Sequence, residues 1–241
     1  AGIESAYVSC VYNPKAASAE KFAIQHRIEN YTDSLEELTM LTDAVYIASL
    51  HETHYEYAKY MLNNKKHVLC EKPAVLKKAQ AEELYSLAKE NNVVFMEAVK
   101  TAYCPGFHAM MAAAKSGKIG RIIDVEAAFS RLTPVNTREY MAQDYNGSFL
   151  EFGSYVCMPV FELLGCDYDD VRFHSMRAVN GVDAYTKAVF SFGGKSAEVK
   201  TGLGVKTEGQ LLISGTNGYI LAKSPWWLTK EFEIRYEDPN K

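Results

Sequence analysis

"AVYIASLHETHYEYAKYMLNNKKHVLCEKP", residues 44–73, decides the fold. A short apolar run over 44–50 gives way to a helix-patterned segment, and a second apolar run over 67–70 stops abruptly at Glu71, Lys72 and Pro73. Two short apolar runs joined by one helix are the pattern of adjacent parallel strands with a crossover. The same alternation extends on both sides. "AYVSCV" (6–11) precedes "KAASAEKFAIQH" (15–26), and "LKKAQAEELYSLAKENN" (76–92) precedes "VVFMEA" (93–98). In the last helix Ala81, Leu84, Leu87 and Ala88 recur at helical spacing, while Lys77, Lys78, Glu82, Glu83 and Lys89 supply a wet face. The expectation is α/β, a partial Rossmann-type parallel sheet with helices on both faces. Ligands of such sheets sit at the carboxyl ends of the strands. That rule singles out Tyr12–Asn13, Leu50–His51 and Glu71–Lys72.

Beyond residue 120 the pattern changes. "RIIDVEAAFSRL" (121–132) reads as a long strand and "SFLEFGSYVCMPVFELLG" (148–165) as a helix that Pro159 should kink. Then "DVRFHSMRAV", "AYTKAVFSF", "SAEVKTGLG", "TEGQLLISG" and "GYILAK" follow, separated by turn residues. These predict an α+β domain with a large open, mainly antiparallel sheet. The division expected is 1–100 for the partial dinucleotide-binding domain and 101–241 for the substrate or oligomerisation domain.

The 241 residues are 48% hydrophobic and 23% charged, with net charge −4 and no basic run. Nucleic acid and anionic membranes are poor partners for such a chain. No stretch approaches the ~18 apolar residues of a membrane span. The opening "AGIESAYVSC" has no signal-peptide pattern. Five scattered cysteines without C-x-x-C point to a reducing cytoplasm and not to disulfides or a cysteine zinc site. "HETH" (51–54) is not H-E-x-x-H, and no third ligand accompanies it, so no metal is expected. A dinucleotide half ordinarily opens with strand, G-x-G-x-x-G and helix. The one G-x-G here, Gly202–Gly204, lies in the antiparallel region.

Residues 42–99, "GKIGRIIDVEAAFS" (117–130), "GSFLEFGSY" (147–155) and "LLISGTNGYILAKSPWW" (211–227) together resemble the Gfo/Idh/MocA oxidoreductases. The E-K-P triplet at a strand end, followed by Gly147, Glu151, Gly153 and Tyr155 in the order G-x-x-x-[DE]-x-G-x-[YH], carries the resemblance. It implies a Rossmann domain followed by an open-sheet domain often used for oligomerisation, here without the first strand and glycine loop and without the C-terminal helix. It also implies hydride transfer between NAD or NADP and a secondary alcohol of a sugar, cyclitol or related polyol. Lys72 is then the lysine near the nicotinamide ribose and the reacting hydroxyl, and Tyr155 the acid/base. A tyrosine of unperturbed pKa ~10 is a poor base at neutral pH, and a nearby ammonium would help it.

Cofactor contacts implied are Tyr12, Asn13, Ser49, Leu50, His54, Glu71 and Lys72, and substrate contacts Lys100 and Glu151. Residues 12–13 offer no acid for a ribose diol and Lys15 follows, which tilts the choice to NADP. Glu151 stands where the family has Asp, and could bind substrate or cap its helix; Tyr155 has a second reading as a core aromatic beside Phe152 and Val156. Lys100–Thr101–Ala102–Tyr103 replaces the W-T-R-[FY] of dihydrodiol dehydrogenases, which favours a more polar substrate or lost activity. The competing function is a non-catalytic homologue or fragment that binds a ligand or partner subunit through its sheet.

Overall fold

The computed structural model describes residues 5–141 and 145–238. They form two compact units, Ala1–Ala98 and Val99–Lys241.

The first unit alternates strand and helix throughout: β1 (Cys10–Tyr12), α1 (Ala16–His26), β2 (Asn30–Thr32), α2 (Leu35–Leu41), β3 (Ala44–Ile47), α3 (His51–Asn63), β4 (His67–Cys70), α4 (Lys78–Glu90) and β5 (Phe95–Glu97). Every pairing is parallel, but the strands form two sheets, β1–β2 and β3–β4–β5. In a doubly wound sheet of order 3-2-1-4-5-6, β1 and β2 correspond to the second and third strands and β3–β5 to the fourth to sixth. The two sheets still share one core, in which Cys10, Leu38, Ile47, Met61, Val68 and Leu84 are all buried.

The short β2 and α2 have no apolar run long enough to announce them, and local chemistry builds them. Ser34 caps α2 by accepting from the N–H of Glu37, and Glu37 in turn accepts from the Thr32 hydroxyl. This S-x-x-E arrangement is a capping box with its acid turned onto the preceding strand.

The exposure pattern shows how β3 and β4 are covered. In β3 and β4, Val68, Ile47 and Cys70 are buried, but Tyr46 and Leu69 are 57% and 40% exposed. The strands alternate because α3 and α4 cover one face of β3–β5, so a side chain on the opposite pleat meets no helix.

The second unit holds α5 (Pro105–Lys115), β6 (Ile122–Ser130), α6 (Ser148–Leu164), β7 (Asp170–Arg177), β8 (Asp183–Phe192), β9 (Lys195–Gly202), β10 (Leu211–Gly215), β11 (Gly218–Ala222) and β12 (Glu233–Tyr236). One seven-stranded sheet has the order β12-β11-β10-β6-β9-β8-β7. All pairs are antiparallel except β6–β9. It is therefore two meanders joined through the earlier strand β6, and β12 is a strand the apolar pattern had not indicated. Period-2 alternation sends Val125, Ala127, Ala188, Phe190, Val199 and Ile213 under α5 and α6. The opposite pleat carries Glu126, Lys187, Glu198 and Lys200, with Lys187 2.5 Å from Glu198 and Lys200 2.8 Å from Glu208. Trp226 is fully buried and satisfies its indole N–H on the carbonyl of Ala128 at 2.9 Å. The helix α6 continues through Pro159 to Leu164. Among the described residues no helix is long and apolar enough to cross a membrane.

Candidate functional site

The carboxyl end of β4 is built to hold one turn still. The ladder continues one residue past the strand, with Glu71 N–H donating to the Ile47 carbonyl at 2.8 Å. Pro73 follows in a cis Lys72–Pro73 linkage. Three neighbouring elements then grip residues 71–74. From β3, the Tyr46 hydroxyl donates to Glu71 Oε1 at 2.5 Å, and Glu71 Oε2 accepts from the Lys72 N–H at 3.3 Å. From α3, His54 Nδ1 lies 2.9 Å from the Pro73 carbonyl oxygen and its Nε2 3.2 Å from that of Ser49. From β5, Glu97 Oε1 accepts from the Ala74 N–H at 3.0 Å. The backbone that bears Lys72 is thus fixed before any ligand arrives, which is the form a preorganised charge requires.

These contacts refine the roles suggested by sequence. Glu71 is spent on Tyr46 and its own turn. His54 is fully buried between the Pro73 and Ser49 carbonyls, where its ring N–H has an acceptor on either side, so it braces the turn from inside. Ser49 accepts from the Thr53 hydroxyl at 2.7 Å, and Leu50, half exposed, opens α3. Tyr12 packs edge-on against Tyr57 at 5.7 Å. Burial, together with Tyr57, pushes its phenol up to about 12. Asn13 Oδ1 accepts from the Lys15 N–H at 2.9 Å, closing a turn that begins just after β1. In the first unit Tyr12, Asn13, Ser49, Leu50, Glu71 and Lys72 thus all lie at or just beyond the carboxyl ends of parallel strands.

In the second unit Glu151 and Tyr155 lie one turn apart on α6, both buried, the tyrosine at 9% exposure. Tyr155 lies 5.1 Å from the ring of Phe129. Phe129 stacks on Phe152 at 4.4 Å and on Trp227 at 3.7 Å, and Arg131 stands 5.9 Å over Phe152. Lys100 is exposed on a short turn, Lys100–Tyr103, that Thr101 ties to the Trp227 carbonyl at 2.9 Å. One chain of contacts thus runs from Tyr155 through Phe129 and Trp227 to the turn bearing Lys100.

Sequence reasoning missed Tyr46, Glu97, Trp227 and Asp183. Tyr46 and Glu97 were legible only as alternate residues of short strands. Asp183 lies 35 positions from the helix it touches, so no local pattern links them. Among the described residues no group of three His, Cys, Asp or Glu could hold a metal ion.

The donor set at the strand ends fits the ribose and nicotinamide parts of a dinucleotide. Hydroxyl, amide and ammonium groups are present there, and no carboxylate occurs between Tyr12 and Lys15. Among the described residues no glycine-rich strand–helix turn supplies a pyrophosphate cradle.

The sequence matches two family models. One, "Oxidoreductase family, NAD-binding Rossmann fold", spans residues 3–99, and the other, "GFO/IDH/MocA C-terminal domain", spans 107–221. The chain is 32% identical over 250 residues to scyllo-inositol 2-dehydrogenase (NADP(+)) IolU of Bacillus subtilis, covering 99% of this chain and 74% of that protein. It is 28% identical to trans-1,2-dihydrobenzene-1,2-diol dehydrogenase of Xenopus tropicalis, covering 87% of this chain but only 64% of the relative. A crystal structure of an NAD binding oxidoreductase from Klebsiella pneumoniae shares the fold, with TM-score 0.84 at 19% identity over 97% of this chain and 68% of that one.

Proposed function

Because the chain belongs to the Gfo/Idh/MocA family of oxidoreductases, we propose that it oxidises a secondary hydroxyl of a cyclic polyol or sugar, or reduces the matching ketone, with NADP or NAD. The observation that carries this reading is the gripped turn at residues 71–74, which holds the backbone of Lys72 from three elements. When bound, the nicotinamide gives or takes the hydride. Lys72 stabilises negative charge on the reacting oxygen, and Tyr155 takes or returns its hydroxyl proton. Glu151 and Lys100 bind the other hydroxyls. Tyr12, Asn13, Ser49 and Leu50 line the nucleotide, and Glu71 and His54 act by holding the lysine turn.

NADP is the preferred form, since the segment after β1 offers Asn13 and Lys15 and no acid to repel a 2′-phosphate. The first test substrate is scyllo-inositol, the substrate in the name of the Bacillus relative. The half-buried pleat of the seven-stranded sheet, with Tyr185, Val189, Leu212 and Leu221 among its charges, is the surface through which copies of the chain assemble. Five free thiols suit a reducing cytoplasm.

Titration of NADPH and NADH fluorescence tests the reading, followed by turnover of scyllo-inositol. Tighter binding of NADPH than NADH is expected. If neither nucleotide binds, the chain is instead a ligand- or subunit-binding homologue; light scattering tests the assembly separately.

A further inference from the structure

The helix that bears Tyr155 begins without a cap of its own. Its N-cap residue is Gly147, at φ 129°, which has no side chain to cap the first N–H groups. A carboxylate from the start of β8 does so instead. Asp183 Oδ2 accepts from the Phe149 N–H at 2.9 Å, the Ser148 hydroxyl at 2.6 Å and the Thr186 hydroxyl at 2.8 Å.

A carboxylate only accepts, so the hydroxyl protons of Ser148 and Thr186 point toward it. Each hydroxyl then accepts from the next group out. Thr201 Oγ1 lies 2.9 Å from Ser148 Oγ, and Ser175 Oγ lies 2.8 Å from Thr186 Oγ1. The order is therefore set from Thr201 through Ser148 to Asp183, and from Ser175 through Thr186 to the same oxygen. Ser148 and Thr201 are wholly buried and Thr186 nearly so. Gly147 leaves the room for this: a Cβ there would meet Asp183 Oδ1 at 1.9 Å.

We propose that Asp183 is a positioning residue for Tyr155, pinning the first turn of α6 to the sheet so that the phenol two turns later is held in one place. Ser148, Glu151 and Tyr155 follow at spacings of three and four and share a face. A shift or rotation of the first turn therefore carries both later side chains with it. Negative charge at this end also complements the helix dipole, so the charge and the geometry favour the same seating. The inference rests on the assignment of Tyr155 as acid/base.

The test compares Asp183→Asn, Tyr155→Phe and the double variant in the full chain, with scyllo-inositol and NADP. Asp183→Asn should lower kcat by roughly 10- to 100-fold, as misplacement of a reacting group does, with nucleotide Kd changed less than about twofold. In the Tyr155→Phe background the same change should cost less than about twofold more. A purely structural role would cost the same in both backgrounds and overturns the proposal. The 13C signal of the Tyr155 phenol carbon, assigned by its loss in Tyr155→Phe, should move in Asp183→Asn with or without turnover. Thr201→Val, which removes only the outer donor, should move the same signal less, and it serves if Asp183→Asn does not fold. An unmoved signal in the folded variant overturns the proposal. Full activity of Tyr155→Phe overturns the acid/base assignment instead, while inactive Tyr155→Phe beside fully active Asp183→Asn overturns only the role of Asp183.

Discussion

His54 Nδ1 lies 2.9 Å from the carbonyl oxygen of Pro73, joining the first turn of α3 to the turn that follows β4. The imidazole is fully buried and faces the Ser49 carbonyl with its other nitrogen. His54→Leu would remove the imidazole N–H donor from between these two carbonyls, at a cost of about 2 kcal/mol. The urea midpoint should fall accordingly, and kcat at least tenfold, because the backbone of Lys72 loses one of its three grips. Wild-type kcat in a folded His54→Leu would remove His54 from the site.

Lys72 and Tyr155 should fail in different ways from the nucleotide-lining residues. Lys72→Met and Tyr155→Phe are each expected to lower kcat by roughly 100-fold or more, the scale of a lost charge stabiliser or proton-transfer group. Nucleotide Kd, read by fluorescence, should stay within about threefold. Equal losses of kcat and binding affinity would recast Lys72 as a plain nucleotide ligand.

Gly147→Ala should be severe. Its φ of 129° excludes side chains and the added methyl would enter Asp183. Strain of this kind costs about 1–3 kcal/mol before the lost cap is counted. Urea unfolding measures it, and a change under 1 kcal/mol would mean that the loop relaxes freely.

Across α3 and α4, Glu83 takes a 2.6 Å contact from Lys59 and a hydroxyl bond from Tyr55. The Lys59 ammonium, with Tyr55, holds the Glu83 carboxyl below its ordinary 4.5. A depressed folded value means the stabilisation is present above the unfolded value and is lost as pH falls through the folded one. Glu83→Gln should therefore lower Tm at pH 7 and converge with the parent on acidification below that range. The pair is solvated, so the difference at pH 7 should be small; a gap that persists at pH 3 would assign it to packing.

Burial pushes the thiols of Cys70 and Cys157 up to about 12. At pH 8 their thiolate fraction is on the order of 10⁻⁴, so iodoacetamide should spare them in the folded chain and modify exposed Cys166 first. Peptide mapping checks this, and early labelling of Cys70 would show that β4 opens readily.

Lys72 and Tyr155 were legible in sequence for unlike reasons. Lys72 follows a four-residue apolar run and precedes proline, so strand end and lysine are written side by side. Tyr155 was singled out by resemblance, because Gly147, Glu151 and Gly153 precede it in the order found in the Gfo/Idh/MocA family. The three-residue β2 gave no such signal, since a strand that short cannot show a period. The exposure of Tyr46 was equally hidden: an apolar strand reads the same whether one face or both are covered.

By itself the sequence determined the longer elements, the parallel class of the first unit, the mainly antiparallel class of the second and the residues at the strand ends, because periodicity and turn chemistry are local. Tertiary structure alone decided what holds those residues. Tyr46, His54 and Glu97 reach the turn of Lys72 from three separate elements, and Asp183 reaches the helix of Tyr155 from across the sheet. Hydrogen bonds between groups distant in the chain follow no spacing rule; they exist only once packing has brought donor and acceptor within about 3 Å.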